Sequence, residues 1–156
     1  MDRVRRDILK SGGGLLALVA AAGLARPGSA LAQQWNKAAF ETKNLNDTLK
    51  AMGGANAAES KDIQFVNPTP DIAENGAVVP VTVTSNIPKT QSIAIMVEKN
   101  PNMLSANFDI PEGTEAFVST RLKMGETSNV VALVKADGKY FYAKKEIKVT
   151  LGGCGG

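Results

Sequence analysis

From Ile63 to Leu151 apolar residues recur at every second position in short runs, and turn residues close each run. A period of two turns one side of an extended chain toward a core and the other toward solvent, so it selects strands. Ile63, Phe65 and Val66 form the first, closed by Asn67-Pro68-Thr69-Pro70. Val79, Val81 and Val83 alternate with Pro80, Thr82 and Thr84 in the second, and Asn86-Ile87-Pro88 turns the chain. Ile93, Ile95 and Val97 give a third, ended by Asn100-Pro101-Asn102. Leu104, Ala106 and Phe108 give a fourth, ended by Ile110-Pro111-Glu112-Gly113. Phe117, Ser119 and Arg121 lie in a fifth, Val130 to Val134 is a sixth, and Asp137-Gly138 predicts a tight hairpin into a seventh over Tyr140 to Leu151. This spacing predicts a mainly β chain folded as an immunoglobulin-like antiparallel β-sandwich. Nothing in the pattern suggests a parallel sheet. Pro80, Pro88, Pro101 and Pro111 suit strand edges, and the open edges or faces of such a sandwich could hold a second subunit.

Ahead of the strands the period differs. Trp35, Ala38, Ala39, Leu45, Leu49 and Met52 recur at spacings of three and four, predicting one N-terminal helix over 34–52 with Phe40 near its apolar edge. Gly53-Gly54 stops it. The first 32 residues read as a cleaved export signal. Arg3 to Lys10 is basic, Leu15 to Leu24 is apolar, and Ala30-Leu31-Ala32 has the small-x-small pattern of a cleavage site. The apolar run falls short of the roughly 20 residues that a membrane span requires. Arg5-Arg6 supplies the pair of a twin-arginine signal. The expected destination is the periplasm, and the expected organisation is signal over 1–32, helix plus sandwich over 33–151 and tail over 152–156.

Charge and residue types exclude several functions. Of 18 basic and 15 acidic residues, five and two lie in the signal segment, leaving 13 of each beyond it. That balance gives no basic footprint for nucleic acid. The chain has no histidine, so it offers no imidazole base, Ser-His-Asp triad or imidazole metal ligand. A single cysteine forms no intrachain disulfide and cannot supply the paired thiolates of a zinc or iron–sulfur site. The expectation is a chain with no cofactor or metal of its own, and not an enzyme. Asp62, Asp71 and Glu74 read as solvated surface or turn groups.

The single cysteine, Cys154, stands in the terminal Gly152-Gly153-Cys154-Gly155-Gly156. Glycine has no Cβ, so this tail is expected to be flexible and thin. At roughly 3.3–3.6 Å per extended residue, Cys154 reaches about 10 Å beyond Leu151. A flexible arm with a reactive atom near its tip is the design of a group carrier. No Lys, Arg or His stands beside Cys154 in the tail, so activation of the sulfur is left to whichever enzyme receives it. A lone thiol sent to an oxidising compartment also admits another reading, an immunoglobulin-like interaction module whose Cys154 only forms intermolecular disulfides.

The chain resembles the SoxY family, carrier subunits of the bacterial thiosulfate-oxidising Sox system. The resemblance rests on Arg5-Arg6, Leu49-Lys50-Ala51-Met52-Gly53-Gly54 and Asp71-Ile72-Ala73-Glu74-Asn75-Gly76. It continues through Val97-Glu98-Lys99-Asn100-Pro101, Ile110-Pro111-Glu112-Gly113-Thr114 and Val149-Thr150-Leu151 into the terminal pentapeptide. It implies that Cys154 holds sulfur covalently, first as a thiosulfonate and then as a persulfide, with Gly152, Gly153, Gly155 and Gly156 forming the carrier arm. It also implies a heterodimer with a SoxZ-like subunit. The implied enzymes are a c-type cytochrome complex, a dimanganese sulfate-releasing hydrolase and a molybdenum–haem sulfane dehydrogenase, which keep the metals to themselves. Bulky residues at both Gly153 and Gly155 should therefore impair insertion into partner sites far more than they slow alkylation of the free thiol. Equal losses in the two assays would contradict a thin arm.

Overall fold

The computed structural model describes residues 36–151, and within them the predicted strands form two facing sheets. Nine strands run in chain order: β1 (Ala58–Glu59), β2 (Ile63–Val66), β3 (Ile72–Ala73), β4 (Val79–Ser85), β5 (Thr90–Val97), β6 (Leu104–Asp109), β7 (Phe117–Leu122), β8 (Ser128–Ala136) and β9 (Lys139–Val149). The larger sheet has the order β1-β9-β8-β5-β6, with β3 also paired to β9. The smaller is β2-β4-β7. All seven anticipated strands are present, and the architecture is the expected immunoglobulin-like β-sandwich.

The alternation explains the sandwich. Val79, Val81 and Val83 of β4 and Val118 and Leu122 of β7 face Ile93, Ile95 and Val97 of β5 and Val130, Ala132 and Val134 of β8. β5 and β8 are buried on their second faces as well. Ala94, Met96, Val131 and Leu133 pack there with Leu104, Met103 and the N-terminal helical segment. A strand covered on both faces reads as a continuous apolar run, which is what Val130-Val131-Ala132-Leu133-Val134 is. The hairpin from β8 to β9 is the predicted one. Asp137 and Gly138 have φ of 49° and 74°, the two left-handed positions that match strand twist.

Three expectations are corrected. The single helix over 34–52 is two, α1 (Lys37–Phe40) and α2 (Leu45–Met52). Asn44 breaks it. Its backbone is extended and its side chain caps α2 by accepting from the Asp47 amide at 2.9 Å. Upstream, Thr42 turns its hydroxyl to Ala39 O at 2.6 Å and to Thr48 Oγ1 at 2.7 Å, satisfying the polar groups of the break locally. The stripe spacing therefore spanned two helices: Ala38 is exposed, Thr48 is buried, and Trp35 lies outside the described residues.

The second correction is parallel pairing. β1 and β3 each add two residues in parallel along the outer side of β9, Ala58 and Glu59 against Phe141 and Tyr142, and Ile72 and Ala73 against Lys148 and Val149. The third concerns Pro80, which lies in β4, the middle strand of the smaller sheet. β2 pairs only as far as Thr82, so Pro80 meets β7 alone and the strand is locally an edge. Beyond Val66 the Thr69 hydroxyl takes over, accepting from the Thr82 amide at 2.8 Å and donating to Thr82 O at 3.1 Å.

Gly53 closes α2 in the left-handed region at φ 83°, where a Cβ would lie 3.0 Å from Tyr140 Oη, whose hydroxyl donates to Met52 O at 2.7 Å. Gly53→Ala should cost about 1–2 kcal/mol in urea unfolding. Gly125→Ala, whose Cβ would meet nothing within 4 Å, should stay within about 0.5 kcal/mol of the parent. Equal effects would refute the cap argument.

Candidate functional site

Cys154 and the arm glycines Gly152, Gly153, Gly155 and Gly156 lie outside the described residues. The structure instead defines the point from which the tail departs. Along the outer side of β9 the Lys148 amide donates to Asp71 O at 2.9 Å and the Thr150 amide to Ala73 O at 3.1 Å. Thr150 Oγ1 adds a bond to Glu74 O at 3.1 Å, and the Gly76 amide donates to Leu151 O at 2.8 Å. On the inner side the Val149 amide donates to Thr127 Oγ1 at 2.9 Å. The chain is held on both flanks through Val149, and on one through Leu151.

A second set of bonds ties this root to the rest of one end of the sandwich. The Met124 amide donates to Gly76 O at 2.7 Å, Asn100 Nδ2 donates to Lys123 O at 2.7 Å, and the Gly125 amide donates to Asn100 Oδ1 at 3.3 Å. Met124 is fully buried beneath them. Two stretches that carried the family resemblance, 71–76 and 97–101, thus meet at the tail root together with 149–151. Another such stretch, 110–114, lies at the opposite end, beyond β6 and ahead of β7.

The charges here are paired. Lys145 Nζ lies 2.8 Å from Asp71 Oδ1, and this hydrogen bond, with the charge behind it, holds the Asp71 carboxyl below the usual range. For Glu98, partial burial works to raise the value. Hydrogen bonds from Asn129 Nδ2 at 2.9 Å and Lys144 Nζ at 3.2 Å, with the Lys144 charge, outweigh it, so Glu98 is also held low. Asp71 is the solvated surface group expected, its side chain 90% exposed, and it also pairs with Lys145 while its backbone carbonyl receives β9; Glu74 contributes its backbone carbonyl to the root. Among the described residues no group of three or more acidic, cysteine or histidine side chains is placed to hold a metal ion.

Sequence reasoning met Ile72 and Gly76 only as members of a family stretch and did not single out Thr127 or Val78. Asn75-Gly76 carries a local turn signal, realised as the Ala77 amide donating to Asn75 Oδ1 at 2.8 Å. Thr127 gives no such signal, because its role depends on a strand 22 residues away in the chain.

The last strand of this immunoglobulin-like sandwich is pinned at its end, and the sequence runs on from it into glycines and the sole cysteine. Residues 49–154 match the family described as sulfur oxidation protein SoxY. The chain belongs to the SoxY family. Among solved structures it is similar to the sulfur carrier protein SoxY from Chlorobium limicola f thiosulfatophilum, at 39% identity over 67% of this chain and 96% of that one, with a TM-score of 0.58. A superoxide reductase (neelaredoxin) from Ignicoccus hospitalis is 21% identical over 59% of this chain and 82% of that one, with a TM-score of 0.48, and carries no functional argument. Comparison with curated proteins gave no match.

Because Asp71 and Glu98 are held low in the folded chain, their stabilisation is complete above the unfolded-chain value and is lost as pH falls through the carboxylate range. Unfolding free energy should therefore decline below about pH 4.3, and the decline should be shallower in Lys144→Ala and Lys145→Ala. Parallel curves for parent and variants would show that these pairs contribute nothing.

Proposed function

We propose that this chain is a periplasmic, non-catalytic sulfur carrier in thiosulfate oxidation, with the cargo bound covalently to Cys154. The observation that carries the reading is the extent of the family match, which runs from Leu49 through the sandwich to end on Cys154. The Chlorobium relative, described as a sulfur carrier protein, supports it.

The chemistry follows from a lone thiol. Joining Cys154 Sγ to the terminal sulfur of thiosulfate forms one S–S bond and releases two electrons, which a c-type cytochrome complex accepts. Water then displaces the sulfonate as sulfate and leaves a persulfide on Cys154; a dimanganese hydrolase performs this step. Where a molybdenum–haem dehydrogenase is present, it oxidises the remaining sulfane sulfur before hydrolysis frees the thiol; otherwise that sulfur goes to storage. This chain's residues perform none of these steps. The body holds the departure point at Leu151 fixed, and the tail delivers the sulfur roughly 10 Å further on. A SoxZ-like subunit pairs with the body, and the signal over 1–32 directs the chain to the periplasm.

Cys154→Ser is the direct test. Thiosulfate turnover in a reconstituted system should fall to background, and the thermal unfolding midpoint should match the parent, because the substitution lies beyond the packed strands. Full turnover by Cys154→Ser would end the carrier reading.

A further inference from the structure

Among the described residues four large apolar side chains are markedly exposed: Ile72 at 58%, Val78 at 57%, Leu151 at 66% and Phe117 at 47%. Three of them surround the tail root. Leu151 is its last described residue. Ile72 belongs to β3, the two-residue strand laid along β9 beside Lys148. Val78 follows Gly76, whose amide holds Leu151 O, by two residues. Phe117 is elsewhere: it pairs with Thr84, towards the other end of the smaller sheet.

The length of the tail says what meets this patch. Cys154 is the third residue past Leu151, so its sulfur reaches only about 10 Å from the pinned end of β9. A reacting atom at the bottom of a channel of that depth is reached only when the channel mouth comes down on the residues around Leu151. An encounter with a channel of that depth therefore removes water from Ile72, Val78 and Leu151. Charged residues at these positions would resist that desolvation, whereas apolar ones favour it. Three partly exposed side chains also make a small contact, which suits a carrier that must leave one enzyme for the next.

We propose that Ile72, Val78 and Leu151 form an apolar collar that seats the apolar mouth of an enzyme's active-site channel while the tail is inserted. The collar rests on the carrier reading and adds to it a recognition surface on the folded body.

The test uses the full chain, with its partner subunit, as the varied substrate of the purified haem enzyme that conjugates thiosulfate to it. Ile72→Glu and Val78→Glu should each lower kcat/KM for the carrier about tenfold, through KM, with kcat near the parent value. Alkylation of the free thiol by iodoacetamide and the thermal midpoint should be unchanged, and Phe117→Glu should behave as the parent. If a glutamate lowers the midpoint, the Ile72→Ala, Val78→Ala double variant should show the same rise in KM in a folded background. Parent-like KM in these variants would overturn the collar. So would loss of the partner subunit from them in sedimentation, which would make the patch a subunit contact. A parent chain that accepts no sulfur overturns the collar and the carrier reading together, whereas a parent that accepts sulfur alongside parent-like variants overturns the collar alone.

Discussion

The burial of β5 and β8 on both faces is the constraint from which the rest of the structure follows. Their apolar runs pack against the smaller sheet on one side and against α1, α2, Met103 and Leu104 on the other. A register slip of one residue would exchange these two surfaces, sending Val130, Ala132 and Val134 into the space shaped for Val131 and Leu133. β8 is thereby fixed, and β9 is fixed to β8 over nine paired positions from Ala136–Lys139 to Ser128–Ile147. The place where β9 ends is a consequence of that packing, two layers removed from the tail itself.

The same end gathers the residues that make the departure point definite. β3 and the turn at Glu74–Gly76 close the outer side of β9, Thr127 closes the inner side, and Asn100 and Met124 join the neighbouring loops. A short arm is useful only if its origin is known, because an error of a few ångströms there is a large fraction of a reach of about 10 Å. In the proposed carrier the body would supply position, the tail a thiol, and the receiving enzymes its activation.

The strands and the hairpin were legible because their signals are local. Alternation in Val79-Pro80-Val81-Thr82-Val83 and the Asp137-Gly138 pair each specify a backbone shape within a few residues. The parallel additions β1 and β3 were not. Two residues cannot show a period, and their pairing is chosen by β9 far along the chain. The helix break was readable only in part. Asn44 is a good cap, but the apolar spacing across it happened to continue, and the Thr42–Thr48 hydroxyl contact that settles the matter joins residues six apart and leaves no periodic signal. Of the candidate site, the sequence exposed Cys154 and its glycines, the feature the family match also reaches. Ile72 entered only as part of a family stretch, and nothing marked Val78 or Thr127, since a place beside the end of β9 leaves no mark at a fixed spacing.

The most direct measurement is the mass of the C-terminal peptide containing Cys154, from protein isolated from cells growing on thiosulfate. A carrier yields thiosulfonate and persulfide adducts on that peptide, and both disappear when thiosulfate is withdrawn. A peptide found only as free thiol or in disulfide linkage to a second chain, whatever the sulfur supply, would contradict the account.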